Sequence, residues 1–195
     1  MRTRRPPDLI LLLLAALLLT GCGRQAVAPA RNPAPEAGPQ AVASGTAPIG
    51  GLDATALAFA ELVISTDGQA VKLLDLGTSR AADPALRTFA GDLAQVRRTE
   101  QTELRGILDE AGVPYVDNHA GHDMPGMPTE PELIALENAQ DFDAQFTKLA
   151  RAHLTESMTV AKSGAASVTH ERTKAVADAM VRERAGALRS LDALG

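Results

Sequence analysis

Two histidines and two methionines fall within nine residues of each other in His119-Ala120-Gly121-His122-Asp123-Met124-Pro125-Gly126-Met127, with Asp117 just before them. The stretch reads H-x-x-H-x-M-x-x-M. Imidazole nitrogen suits copper and zinc, and thioether sulfur selects for copper(I). Donors joined by Gly and Pro can wrap a single ion without help from elsewhere in the chain. His119, His122, Met124 and Met127 are therefore the candidate metal ligands, with copper the first choice of ion. The competing account is packing, with Met124 and Met127 forming an apolar lid. His153 is a further and weaker candidate ligand, since a lone His on a largely apolar helix is more often a polar residue at the bundle edge. His170 reads as a surface residue at a helix start.

No catalytic arrangement accompanies these donors. The chain has one cysteine, no Gly-rich phosphate loop and no G-x-S-x-G elbow. Ser157 follows His153 by one helical turn, but no acid stands ready to orient the pair. An enzyme is not expected. A formal net charge of −5 argues against a nucleic-acid partner.

The single cysteine has a different use. Arg2, Arg4 and Arg5 precede an apolar run from Leu9 to Leu19, and Leu19-Thr20-Gly21-Cys22 closes it. The run is too short to cross a hydrocarbon core, which needs about 20 residues. A charged start, a short apolar centre and small residues at the exit describe a secretory signal. The ending resembles the lipobox of bacterial lipoproteins, in which the cysteine thiol takes a diacylglycerol and becomes the first mature residue. Residues 1–21 are thus expected to be a signal peptide and Cys22 a lipidation site. Acyl chains, palmitate among them, would hold the protein to the membrane on its extracytoplasmic side. With Cys22 so used, no disulfide is available to the exported domain.

From Cys22 to Gly51 the chain is rich in Ala, Pro, Gly and Gln. Pro29, Pro33, Pro35, Pro39 and Pro48 deny it a regular helix, so it reads as a disordered tether. The domain proper is expected over 52–195. Leu52, Ala56, Phe59, Leu62, Val63, Ala70 and Leu74 recur at helical spacing and predict a first helix to about Leu76, capped by Asp53 and stopped by Gly77. Asp83-Pro84 opens a second, running to about Ala111. A loop over 113–129 follows. Thr129 and Glu132 form a predicted capping box for a third helix reaching about Lys162, with a break near Gln140-Asp141 and Gly164 as its stop. A fourth runs from about Thr169 to Leu194. No segment reads as a strand. The expected fold is all-α, a four-helix bundle.

The two helix pairs repeat. An ungapped shift of 87 residues lays Phe59 on Phe146, Leu62 on Leu149, Gly77 on Gly164, Ala90 on Ala177, Arg97 on Arg184 and Leu104 on Leu191. Identities are sparse, but the apolar pattern keeps register, as a duplicated helix hairpin would. Asp67 is placed to pair with Arg97 or Arg184 inside a bundle; solvated surface arginines are the alternative.

These features resemble the exported domain-of-unknown-function family 305, whose fold is a ferritin-like four-helix bundle. The match is best from Gly126-Met127-Pro128 through Phe142-Asp143-Ala144-Gln145-Phe146 to His153. The family carries a Gly-Met motif before a helix, a Phe-Asp-x-x-Phe element, a His-His pair and Gln-x-x-Glu patterns. Its members are often linked to copper handling, and copper is what the resemblance implies here. The chain departs from the pattern at the metal-ligating positions. His153-Leu154 and Thr66-Asp67 stand where His-His pairs are expected. Arg97-x-x-Glu100 and Arg184-x-x-Ala187 stand in place of Gln-x-x-Glu. Two functions therefore remain: a membrane-anchored envelope lipoprotein binding copper or another transition metal through its His/Met loop, or a degenerate module of structure or protein interaction that binds no metal.

Overall fold

The computed structural model describes residues 49–194. Cys22, the signal before it and the tether up to residue 48 lie outside the described residues. The chain enters through a tight turn in which Ile49 and Leu52 exchange backbone hydrogen bonds of 2.9 Å in both directions. Gly50 and Gly51 supply the positive φ angles that this turn requires. The turn seats Leu52, 2% exposed, in the core.

Five helices follow: α1 (Ala54–Arg80), α2 (Pro84–Glu110), α3 (Glu130–Glu137), α4 (Phe142–Ser167) and α5 (Glu171–Leu194). Among the described residues there is no strand-built sheet, and no helix is long and apolar enough to cross a membrane. The starts are written in the sequence. Asp53 accepts from Ala56 N at 2.8 Å, and Asp83 accepts from Ala85 N ahead of Pro84. Thr129 and Glu132 make the reciprocal capping box of α3. The short α3 is the lead-in set off by the expected break, and Asp141 caps α4 through Ala144 N. At α5, His170 does the capping: its Nδ1 accepts from Thr173 N at 3.3 Å. The chain has no Ser, Thr, Asp or Asn at that position.

The ends differ from expectation. Gly77 and Gly164 do not stop their helices; α1 and α4 continue through them to Arg80 and Ser167. Each glycine is used for close packing instead. A Cβ on Gly77 would stand 2.3 Å from the Phe146 ring, and one on Gly164 would stand 2.3 Å from the Phe59 ring. The helices end one turn later, where Ala81 N donates to Gly77 O and Val168 N to Gly164 O. All these pairs are mates under the 87-residue shift, so the duplicated hairpins pack by a local two-fold relation.

α1 packs on α2, α4 on α5, α1 against α4 and α2 against α5. Since the start of α1 meets the end of α4, those two run antiparallel. The interior has three storeys. One apolar cluster gathers Phe59, Val63, Ile64, Leu104, Ile107, Val176 and Met180. The other gathers Leu73, Leu74, Leu86, Leu93, Phe146, Leu154 and Leu191. The repeat carries Phe59 and Leu104 of the first onto Phe146 and Leu191 of the second. Burying each such side chain contributes about 1.5–3 kcal/mol. Between the two clusters, at the centre of every long helix, lies a polar layer.

Candidate functional site

The polar layer draws on all four long helices: Asp67 from α1, Arg97 and Glu100 from α2, His153 and Ser157 from α4, and Glu183 and Arg184 from α5. Arg97 and Arg184 are wholly buried, as is Asp67. The pairing of Asp67 with the two arginines is thus found, and the solvated-surface alternative is not. Asp67 Oδ1 lies 3.3 Å from Arg184 Nη2 and 3.6 Å from Arg97 Nε. Glu100 pairs with Arg97 Nη1 at 3.0 Å and with Arg184 Nη1. Glu183 reaches Arg97 Nη1 at 2.9 Å and Arg184 Nη1 at 3.0 Å. Arg184 Nε donates to Ser157 Oγ at 3.3 Å.

The repeat explains why this layer sits on the local two-fold axis and why it is lopsided. Arg97 and Arg184 are mates. Asp67, Glu100 and His153, by contrast, have Leu154, Ala187 and Thr66 as their mates. One half of the duplicated hairpin therefore brings both buried acids.

His153 occupies the layer in a way the sequence does not announce. It is 2% exposed. Its Nε2 is 3.3 Å from Arg97 Nε, which can only donate, and its Nδ1 is 3.2 Å from the Gly126 carbonyl, which can only accept. These partners fix the proton on Nδ1. Burial, with Arg97 and Arg184 adding to it, holds the imidazole well below its ordinary pKa, so the ring is neutral. Both nitrogens are committed and two guanidinium groups stand beside the ring. His153 is placed as a structural link between Arg97 and the Gly126 carbonyl.

Burial pushes the Asp67 carboxyl up to about 7, against the pull of Arg97 and Arg184. At Glu100, burial also works upward, but Arg97 and Arg184 outweigh it and the carboxyl is lowered. Asp67 Oδ2 and Arg97 Nη2 are buried without a hydrogen-bond partner.

The loop between α2 and α3 lies over this layer. Ser65 Oγ on α1 donates to Asp117 Oδ1 at 2.8 Å, and His119 N donates to the same oxygen at 3.1 Å. Arg105 lies over the Tyr115 ring at 4.3 Å. Two turns follow, closed by His122 N to His119 O and by Met127 N to Met124 O, both at 3.0 Å. Gly121 and Gly126 supply their positive φ angles. Gly126 sits so close to α4 that a Cβ would stand 2.5 Å from Glu156 Cβ.

The four loop donors do not share one cavity. His119, half-buried, lines a groove with Tyr115, Asp117 and Met127. His122, exposed, lines another with Asp123, Glu130 and Met127. Met124 lines a third with Glu132, Leu149 and Met127. Met127, 4% exposed, is the donor common to all three. Among the described residues, no three His, Cys, Asp or Glu side chains are arranged around one point as metal ligands are. His170 stands apart at the start of α5.

The sequence misses Glu183 and the Gly126 carbonyl. Glu183 falls on the apolar stripe of Val176, Met180 and Ala187, and that spacing was the signal that could have placed it inward. The Gly126 contact joins residues 27 positions apart.

A family profile for the domain of unknown function DUF305 matches residues 56–194. Among solved structures, the chain resembles a DUF305 fragment from Deinococcus radiodurans at 17% identity and TM-score 0.64, covering 73% of this chain and 96% of that one. It resembles a protein from Streptomyces coelicolor, designated a secreted DUF305 protein, at 24% identity and TM-score 0.65, covering 72% and 91%. It also resembles CopM in its Cu(II)-bound form at 18% identity and TM-score 0.65, covering 71% and 94%. At these identities the likeness is one of fold. No curated protein matches the sequence. With the profile spanning all five helices, the chain belongs to the DUF305 family.

Proposed function

We propose that this chain is an extracytoplasmic lipoprotein, held to the membrane through Cys22, that binds copper at the loop between α2 and α3. The observation that carries the reading is the placement of His119, His122 and Met124 around Met127 on a loop braced at both ends. Asp117 braces it to α1, and Gly126 braces it to α4 through His153. Imidazole and thioether together are a donor set for copper. His119 and His122 would hold the ion with Met124 and Met127, the exposed histidine moving toward the buried sulfur. A fold shared with a protein that has been seen in a Cu(II)-bound form supports the choice of metal. The bundle centre does not fit a cation, because two buried guanidiniums already fill it. The role is sequestration or delivery, with no catalysis.

A second reading has its own observation. The closed charge layer occupies the interior position where the family resemblance implies histidine pairs, as in a module kept for structure or protein contact and carrying no metal. Titration of copper(I) and copper(II) into the full-length chain separates the two. Binding that is lost in the His119→Ala/His122→Ala variant supports the loop site. No binding at micromolar metal leaves the second reading. Anchoring is tested separately: Cys22→Ala should move the chain from the membrane fraction to the soluble one.

A further inference from the structure

We infer that Asp67 is a buried carboxylic acid that shares its proton with Glu100, and that loss of this proton loosens the His/Met loop through Arg97 and His153. The inference does not rest on metal binding. Its first support is charge balance. Three carboxylates (Asp67, Glu100 and Glu183) face two guanidiniums (Arg97 and Arg184), and the imidazole of His153 is neutral. A proton on one carboxylate balances the layer.

The second support is geometry. Both arginines approach Asp67 on Oδ1, while buried Oδ2 has no donor facing it. An ionised oxygen in that position would forfeit all hydrogen bonding at considerable cost. A hydroxyl there needs only an acceptor, and the Glu100 carboxylate, held by the same two arginines as Asp67, is the neighbouring one. Glu100 is the more exposed of the two, its side chain at 11% against 1%, so the proton has a way out. The groups facing Asp67 are Arg97 and Glu100 from α2, His153 from α4 and Arg184 from α5.

Ionisation turns Oδ2 from donor to acceptor. Arg97 is shared between the two side chains: its Nε stands 3.6 Å from Asp67 Oδ1 and 3.3 Å from His153 Nε2. A full charge on Asp67 draws the guanidinium toward it and takes Nε away from His153 Nε2. The imidazole is then held only by its bond to the Gly126 carbonyl, the contact that seats the loop on α4. The layer has two arrangements, and a proton selects between them.

Carboxyl-carbon NMR of the full-length chain through neutral pH tests the proton site, and amide exchange of Met127 tests the coupling. The Asp67 carbon should titrate with a midpoint near 7. Over the same range the Met127 amide, bonded to Met124 O, should lose protection several-fold relative to its intrinsic rate. Glu100→Gln should lower the Asp67 midpoint, since it removes a like charge. An Asp67 midpoint at its ordinary value of about 3.9 would overturn the proton site. Protection of Met127 that stays flat through neutrality would overturn the coupling. Both readings come from the native chain and do not depend on a variant folding.

Discussion

The ring of Phe146 lies on Gly77 with no room for a methyl group between them, and Phe59 lies on Gly164 in the same way. These are one contact made twice by a duplicated hairpin, and they set the spacing of α1 and α4. Ala at either glycine gains helix propensity of about 0.5–1 kcal/mol. The overpacking it causes costs about 1–3 kcal/mol. Gly77→Ala and Gly164→Ala should each lower the unfolding free energy in urea. Gly68→Ala and Gly106→Ala, where nothing lies within 4 Å of the new carbon, should raise it. Equal behaviour of all four variants would remove the close-packing account.

The central layer makes each arginine indispensable to the other charges. Arg97→Met leaves Asp67, Glu100 and Glu183 with one guanidinium. Breaking a buried ion cluster on one side costs about 3–5 kcal/mol. Adding Asp67→Leu, which copies its repeat mate Leu154, should recover part of that loss. The recovery would appear in a double-mutant cycle as a coupling of about 0.5–3 kcal/mol. Additive losses would mean that the two groups do not interact.

His153 and Asp67 give stability opposite slopes with pH. The folded pKa of His153 is depressed. Its contribution is therefore full above the unfolded value of about 6.5 and is lost as pH falls through the folded value. The folded pKa of Asp67 is raised to about 7. Its contribution is full below the unfolded value of about 3.9 and is lost as pH rises through the folded value. Asn at 153 can donate as Nδ1 does but does not titrate. In His153→Asn the slope of Asp67 should no longer be opposed by the imidazole, with stability rising as pH is lowered from about 7 toward about 5, above the range where Glu100 begins to work the other way. Denaturant melts across that range would show it. A variant with the same pH profile as the parent would exclude the assignment.

Much of the bundle was legible because each helix announces its own start. Asp53, Asp83 and the Thr129–Glu132 box cap as their types and positions predict, and the apolar period marks the core faces. The ends of α1 and α4 were misread for a physical reason. A glycine that admits a neighbouring ring looks, in sequence, like a glycine that stops a helix. The polar layer was legible in part. Arg97 and Arg184 stand out as repeat mates, and Asp67 as their partner. The link from His153 to Gly126 was not legible, because a backbone carbonyl leaves no mark in residue type. Loop donors were visible by type and spacing, but their distribution over three grooves depends on the turns at Gly121 and Gly126 and on Met127 being drawn inward.

The proposed copper site is the loop between α2 and α3, and not the bundle centre. X-ray absorption at the copper edge of the full-length chain loaded with copper(I) tests it most directly. Nearest neighbours of both sulfur and imidazole nitrogen are expected, with the imidazole contribution lost in His119→Ala/His122→Ala and unchanged in His153→Asn. A coordination sphere without sulfur, or one that survives the loop substitutions, would contradict it.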